Sequence, residues 1–303
     1  DAVVAARERY AQRGLGFAVH VDAAWGGYLA TLFRNEDGSL RSRDEVAHVF
    51  DAFPTPAAHA AVAAIADTDS VTVDPHKLGY LPYGAGAFIC RDHRATALLT
   101  EAADYVFHGT ASSDYMTRYR SLGQIIPEGS KSGAAAAAVY VSHQVLPLDH
   151  AHFGLLTART IEAAEAFRTR AHQFAEENAD VVAALVPFDP DSNLVCLALN
   201  PAGNRSVAVA NAFVRRLHDE LRIDPGHPVQ DKQFFGSATT LKPEALGDDG
   251  IQRIFAALGL DAATLDDAAD SKLMILRHTL MNPYRSTGKT ASATSICISS
   301  IWP

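Results

Sequence analysis

Residues 70–86, SVTVDPHKLGYLPYGAG, hold the reading that decides the fold. SVTVD (70–74) is rich in β-branched residues and reads as a strand. It ends in a carboxylate, a proline, a histidine and a lysine before glycines break the chain, and GAFICR (86–91) reads as the next strand. Upstream, FAVHVD (17–22) is a further short strand that also ends on an aspartate followed by small residues, in HVDAAWGGY (20–28). AVVAARERYAQR (2–13) before it has helical periodicity, closed by Gly14 and Gly16. Helix, glycine turn and strand make half of a repeating α/β unit. Strands alternating with helices imply a mainly parallel sheet covered on both faces. Ligands of such sheets sit outside the carboxyl ends of the strands, where Asp22 and Asp74 both stand.

Outward from this centre the pattern continues. NEDGS (35–39) is a turn, and FPTP (53–56) interrupts the chain before a short alanine-rich helix. Residues 104–130 have weak periodicity and read as a long loop beside the active site. GSKSGAAAAAVYVSHQVL (129–146) is a helix stopped by Pro147, its alanine run 134–138 expected to pack tightly. A long helix over about 153–185, a strand at 193–199, a helix at 206–222 and strands near 232–236 and 272–280 read as a smaller α/β domain beginning near residue 148. The Ser/Thr-rich tail 285–300 fits no element.

Composition narrows the function. A chain of 303 residues with 48% hydrophobic and 20% charged residues is that of a soluble globular protein with a substantial core. Its net charge of −9, without a basic block, argues against a nucleic-acid-binding surface. Cys90, Cys196 and Cys297 are far apart and lack CxxC spacing, which points to a reducing, cytoplasmic setting and to no metal site. No stretch approaches the ~20 apolar residues of a membrane span, and no signal segment opens the chain. Asp1 is not a start methionine and the first helix reads as already in mid-course, so a segment upstream is expected.

The segments HVDAAWGGY and DPHKLGYLPY, with DYVFHG (104–109) and EGSKSGAAAAAVYVSHQVLPL (128–148), resemble the cofactor signature of the group II pyridoxal-phosphate-dependent amino acid decarboxylases, and within them the bacterial tyrosine decarboxylase branch. The resemblance runs from residue 1 to about 284 and is strongest over 17–28 and 70–148. It implies an α/β protein with the type I pyridoxal-phosphate enzyme fold, which is aspartate aminotransferase-like. Residues 1–147 are then the C-terminal part of the cofactor-binding large domain, and residues 148–303 a small C-terminal domain.

The resemblance also assigns roles that the chemistry supports. Decarboxylation leaves a carbanion at Cα, and the pyridine ring of pyridoxal 5'-phosphate is the electron sink. A carboxylate against the ring nitrogen keeps that nitrogen protonated; Asp22 matches, and Ala24 packs on the ring face. Lys77 forms the Schiff base, which requires an amine free of its proton. His76 neighbours the cofactor phosphate or the substrate carboxylate. Asp74 stands near the phosphate, where an ionised carboxylate cannot donate a hydrogen bond, so its expected role is local hydrogen bonding. Tyr83, in the LPY segment, is placed near the substrate and is one candidate to return a proton to Cα; Tyr105 is the other. Ser130 resembles a phosphate contact that a second subunit contributes, implying a two-fold symmetric dimer, and Lys131 stands beside it. Thr279, in LRHTLMNP (276–283), is the candidate substrate contact of the small domain.

The function expected is decarboxylation of an L-amino acid, tyrosine or a related aromatic one. Two other readings stay open: the same cofactor with another outcome (an aldolase-type lyase or a decarboxylation-dependent oxidative deaminase), and a non-catalytic subunit. The family's N-terminal half, which carries a phosphate-binding Ser/Thr pair and a histidine that stacks on the ring, has no counterpart in this sequence. A complementary N-terminal polypeptide, separate or cleaved, is therefore the expected partner.

Overall fold

The computed structural model describes residues 2–92, 94–95, 128, 131–223, 226, 236–265 and 271–283. Along them run α1 (Ala2–Ala11), β1 (His20–Asp22), a 3-10 helix (Gly26–Phe33), α2 (Arg43–Ala47), α3 (Pro56–Ala64), β2 (Ser70–Val73) and β3 (Ala87–Cys90). Then come α4 (Ala134–Val145), α5 (Phe153–Glu177), β4 (Val182–Leu185), β5 (Leu194–Pro201), α6 (Val207–Leu221), β6 (Ser237–Leu241), α7 (Pro243–Leu258) and β7 (Leu273–Thr279). They divide into two compact units. The first takes the described residues up to Ser42 with those of Pro56–Gly154; the second takes Arg43–Thr55 and those from Leu155 on.

In the first unit β2 is central, with order β1-β2-β3. β1 runs parallel to β2, with His20 opposite Ser70 and Asp22 opposite Thr72. The strand foreseen over 17–22 shrinks to its last three residues, the ones that pair with β2. β3 runs antiparallel to β2, so this sheet is mixed. The cause lies in residues 74–86, which contain no helix to carry a parallel crossover, so the chain doubles back beside β2. Arg7 of α1 and the amide of Val19 both donate to Asp69 Oδ2, at 2.8 and 2.7 Å, which ties α1 to the sheet. The 3-10 helix buries Tyr28, Leu29, Leu32 and Phe33. α4 forms where the alanine run predicts a helix, but none of its residues is buried, contrary to the expected tight packing.

The second unit is built on an antiparallel sheet of order β4-β5-β7-β6. One face carries Val195, Leu197, Leu199 and Leu276 against Ala164, Phe167, Ala171 and Phe174 of α5. The other carries Ala198, Leu273 and Ile275 against Ile251, Ile254, Phe255 and Leu258 of α7. Both faces are covered, which explains why LVCLAL (194–199) is continuously apolar rather than alternating. The strand expected near 232–236 falls, up to 235, outside the described residues, and β6 begins at Ser237. Two further elements differ from expectation. The helix foreseen to 185 ends at Glu177, and 182–185 becomes the edge strand β4. α7 was not foreseen, although Pro243 at its start and Gly259, with φ 72, at its end are ordinary boundary residues.

Two polar devices shape this unit. Glu165 of α5 is 8% exposed. It accepts the amides of Asp51, Ala52 and Phe53 at 3.0, 2.8 and 3.0 Å, holding the segment after α2. His278 of β7 lies against Phe167, ring centroids 4.5 Å apart. Part of its surface is accessible, but Nδ1 is closed off and has no hydrogen-bond partner. Burial depresses its pKa from 6.5 to about 4, against a smaller upward pull from the backbone of Val195. No helix among the described residues is long and apolar enough to cross a membrane.

Glu165→Ala leaves three amides without their acceptor and should destabilise the second unit by about 2–4 kcal/mol in denaturant titration; a loss below about 0.5 kcal/mol sinks this account. For His278 the sign is fixed by the depressed value. Above pH 6.5 both states are neutral, and as pH falls toward 4 the unfolded chain takes a proton that the native ring refuses. Stability therefore falls across that window, by on the order of 2 kcal/mol once the accessible part of the ring is allowed for. His278→Phe should flatten this part of the pH profile; an unchanged slope rules His278 out as its source.

Candidate active site

The site is assembled where β1 and β2 end side by side. Asp22 is the last residue of β1, and its Oδ1 accepts the amide of Ala24 at 3.1 Å, a local turn that ends the strand. The turns after the two strands are then stitched together. The amide of Ala23 donates to the carbonyl of Thr72 at 3.0 Å, and the amide of Asp74 donates to the carbonyl of Ala24 at 3.2 Å. Parallel neighbours lie about 4.8 Å apart, so the Asp22 turn and the Asp74 turn are adjacent by construction. Gly27 allows a close approach: a Cβ there would sit 2.9 Å from both γ-methyls of Val73.

Residues 74–80 fold into a compact turn. The amide of Lys77 donates to Asp74 at 2.9 Å, that of Tyr80 to Lys77 at 3.1 Å, and that of Leu81 to Pro75 at 3.1 Å. Leu78 is fully buried and anchors the turn, while the Lys77 side chain stays 34% exposed and open to a ligand. Its Nζ donates to Asp74 Oδ2 at 2.7 Å, an ion pair in which Asp74 is the more shielded partner. Asp74 thus makes a local hydrogen bond, with Lys77 as its partner.

His76 is fixed from the other side. Its amide and its Nδ1 both meet the carbonyl of Ala85, at 3.2 and 2.8 Å. A carbonyl only accepts, so Nδ1 carries a proton there. Nε2 lies 3.9 Å from Asp74 Oδ2, beyond hydrogen-bond range. Gly84, with φ 100, takes the left-handed conformation that returns the chain to Ala85. Tyr83 stacks on the His76 ring, centroids 4.9 Å apart, and is 89% exposed.

The structure therefore gathers Asp74, His76, Lys77 and Tyr83 into one cluster, on a turn stitched to the one that carries Asp22 and Ala24. Tyr105 and Ser130 lie outside the described residues. Lys131 pairs with Glu128 at 3.4 Å. Thr279 belongs to the second unit, exposed at the end of β7 opposite Leu194. Two residues without an assigned role in the sequence join the first unit's framework. Tyr28 packs under the Lys77 turn, and its hydroxyl meets His143 Nε2 at 3.0 Å. Tyr28 stands in the quoted HVDAAWGGY, but no local pattern links it to a histidine 115 residues on.

Comparisons with known proteins identify relatives of the chain. The family model described as "Tyrosine decarboxylase, C-terminal" matches residues 163–295. L-tyrosine decarboxylase of Enterococcus faecium is 33% identical over 293 residues, 94% of this chain and 46% of that protein. The Levilactobacillus brevis L-tyrosine decarboxylase is 31% identical over 294 residues, again 94% of this chain and 46% of the other. The chain thus spans about half the length of the curated relatives it matches. A crystal structure of Oryza sativa TDC with PLP and tryptamine superposes with a TM-score of 0.57 over 96% of this chain and 45% of that one. At 14% identity this likeness shows the fold alone. The chain is thus similar to L-tyrosine decarboxylases along 94% of its length, and its residues 163–295 match the C-terminal part of that family.

Proposed function

We propose that this chain supplies the cofactor-anchoring half of a pyridoxal-phosphate-dependent decarboxylase acting on tyrosine or a related aromatic L-amino acid. The observation that carries the reading is the Asp74–His76–Lys77 cluster at the end of β2, its turn stitched to that of Asp22 at the end of β1. It occurs in a chain similar to L-tyrosine decarboxylases across 94% of its length.

The donor set fits the cofactor: a reachable amine, a strand-end carboxylate and an imidazole of fixed orientation. Bound there, pyridoxal phosphate supplies the electron sink for the carbanion left at Cα when carbon dioxide departs. Lys77 Nζ is the group that would hold the cofactor's aldehyde carbon. An amine attacks only through a free lone pair, so the ion pair with Asp74 would oppose that attachment. Asp22 holds the proton on the ring nitrogen, and the small Ala24 leaves its face free for a flat ring. His76, its Nδ1–H spent on Ala85, would offer Nε2 to the phosphate or the substrate carboxylate, to which it donates only when that nitrogen carries a proton. Tyr83 or Tyr105 would return a proton to Cα, and Thr279 is the substrate contact proposed for the small domain.

The same reading includes a complementary N-terminal polypeptide, a two-fold symmetric assembly in which Ser130 serves the neighbouring site, and a cytoplasmic setting. Supporting the partner, Phe88 and Ile89 of β3 are 62% and 57% exposed, and Tyr140, Val141 and Val145 of α4 lie open as well. Residues 1–147 belong with the cofactor and 148–303 form the small domain in this reading.

In the complete protein, an absorbance band in the visible should vanish on borohydride reduction, leaving the cofactor's mass on the peptide that contains Lys77. Lys77→Ala should lose both band and mass, and a band surviving in that variant refutes the assignment. Tyrosine, DOPA, tryptophan, phenylalanine and glutamate should then separate, with tyrosine giving its amine fastest; an aldehyde product instead of an amine overturns the reaction type. Asp74→Asn removes the group that holds the Lys77 ammonium and should speed cofactor attachment at neutral pH about two- to fivefold, the range of a partly exposed ion pair. Slower attachment in that variant means that Asp74 assists the step.

A further inference from the structure

The two turns of the site share one aromatic side chain. Tyr28 begins six residues after Asp22, on a 3-10 helix whose first turn is closed by the Gly27 amide donating to Ala23 at 2.8 Å. It is 4% exposed. Its ring lies flush against the Lys77 turn: a Cβ on Gly79 would fall 2.7 Å from Tyr28 Cζ and 2.5 Å from the carbonyl oxygen of Pro75. Real Cβ atoms do not approach so closely, so glycine at 79 lets the ring support the turn's backbone directly. On its far side the ring meets Phe153, centroids 5.0 Å apart, and Phe153 reaches Tyr80 at 6.4 Å, the residue that closes the turn at φ 56.

What fixes the ring is its hydroxyl. Tyr28 Oη lies 3.0 Å from Nε2 of His143 on α4. Burial pushes the phenol up to about 12 and the imidazole down from its ordinary value. Tyr28 therefore stays the donor and His143 the neutral acceptor, with the ring proton on Nδ1. A bond of this kind between a buried phenol and a half-buried imidazole is directional, and it opposes sliding of the phenol along the turn.

We propose that Tyr28, held by His143, is a positioning residue that sets where the turn carrying Lys77 stands relative to the turn carrying Asp22. The inference rests on the function proposed above, and it assigns Tyr28 and His143 no contact with cofactor or substrate. Its prediction is that loosening the Tyr28–His143 bond leaves cofactor and substrate binding in place while slowing the steps that need Lys77 well aimed.

The test uses the complete protein stripped of cofactor and reloaded with pyridoxal phosphate. Two quantities are read: the rate at which the borohydride-reducible band forms, and the separate changes in kcat and KM. Tyr28→Phe and His143→Leu should each slow attachment and lower kcat about three- to tenfold, the range that one neutral hydrogen bond spans, with KM within about twofold. The double variant should be no worse than either single one, because both remove the same bond. His143→Gln, which can still accept from the phenol, should recover most of the loss. Attachment and kcat at the parent values in Tyr28→Phe overturn the proposal, as do losses that add in the double variant or a rise in KM alone. Should Tyr28→Phe fail to fold, His143→Leu against His143→Gln carries the same comparison. Lys77→Ala separates the two levels of inference. If that variant keeps the band, the function itself is misread; if it loses the band while Tyr28→Phe behaves as the parent, only the positioning role fails.

Discussion

The parallel pairing of β1 with β2 is the constraint on which the candidate site depends. Two backbone hydrogen bonds beyond the strands, from Ala23 to Thr72 and from Asp74 to Ala24, bind the departing turns together. Without them Asp22 and Lys77 would be two polar residues on unrelated loops. With them, a carboxylate and an amine separated by more than fifty residues of sequence are held on neighbouring strand ends. The close approaches at Gly27 and Gly79 follow from that pairing, because the 3-10 helix after β1 must lie down across β2 and its turn. Chemistry in this unit is thus an outcome of strand register, and the side chains only finish what the backbone begins.

The residues of the candidate site stand out in the sequence because their signal is local, whereas parts of the fold around them do not. Asp22, Asp74, His76 and Lys77 announce themselves because strand ends are marked by a change from β-branched to polar and small residues, and that signal is local. The direction of β3 was not legible in the same way. A strand's orientation depends on what its connection contains, and residues 74–86 read equally as a loop on the way to a crossover or to a return. β4 was absorbed into the preceding helix because VAAL carries no period of its own, and its identity comes from pairing with 198–201. The alanines of α4 fit both a packed and an open helix, and composition does not distinguish them. Tyr28 and His143 were out of reach for a different reason: a contact across 115 residues leaves no trace in either neighbourhood.

The two units solve the problem of burial differently. The second covers both faces of its sheet with its own helices and closes two apolar clusters, so its polar exceptions, Glu165 and His278, stand out against a finished core. The first concentrates its buried residues on the 3-10 helix, Leu78 and Phe153, beneath the Lys77 turn. Of these, the Tyr28 ring lies directly against the turn that carries the amine.

The open apolar residues of β3 and α4 have a thermodynamic consequence. Surface that gains by being covered makes the stability of the first unit a function of concentration, since any body that covers it shifts folding by mass action. Were such a body to bind there, dilution alone would loosen the part of the molecule that holds Lys77. Abundance of the covering body, rather than any change in the catalytic side chains, would set how many copies are competent at a given moment.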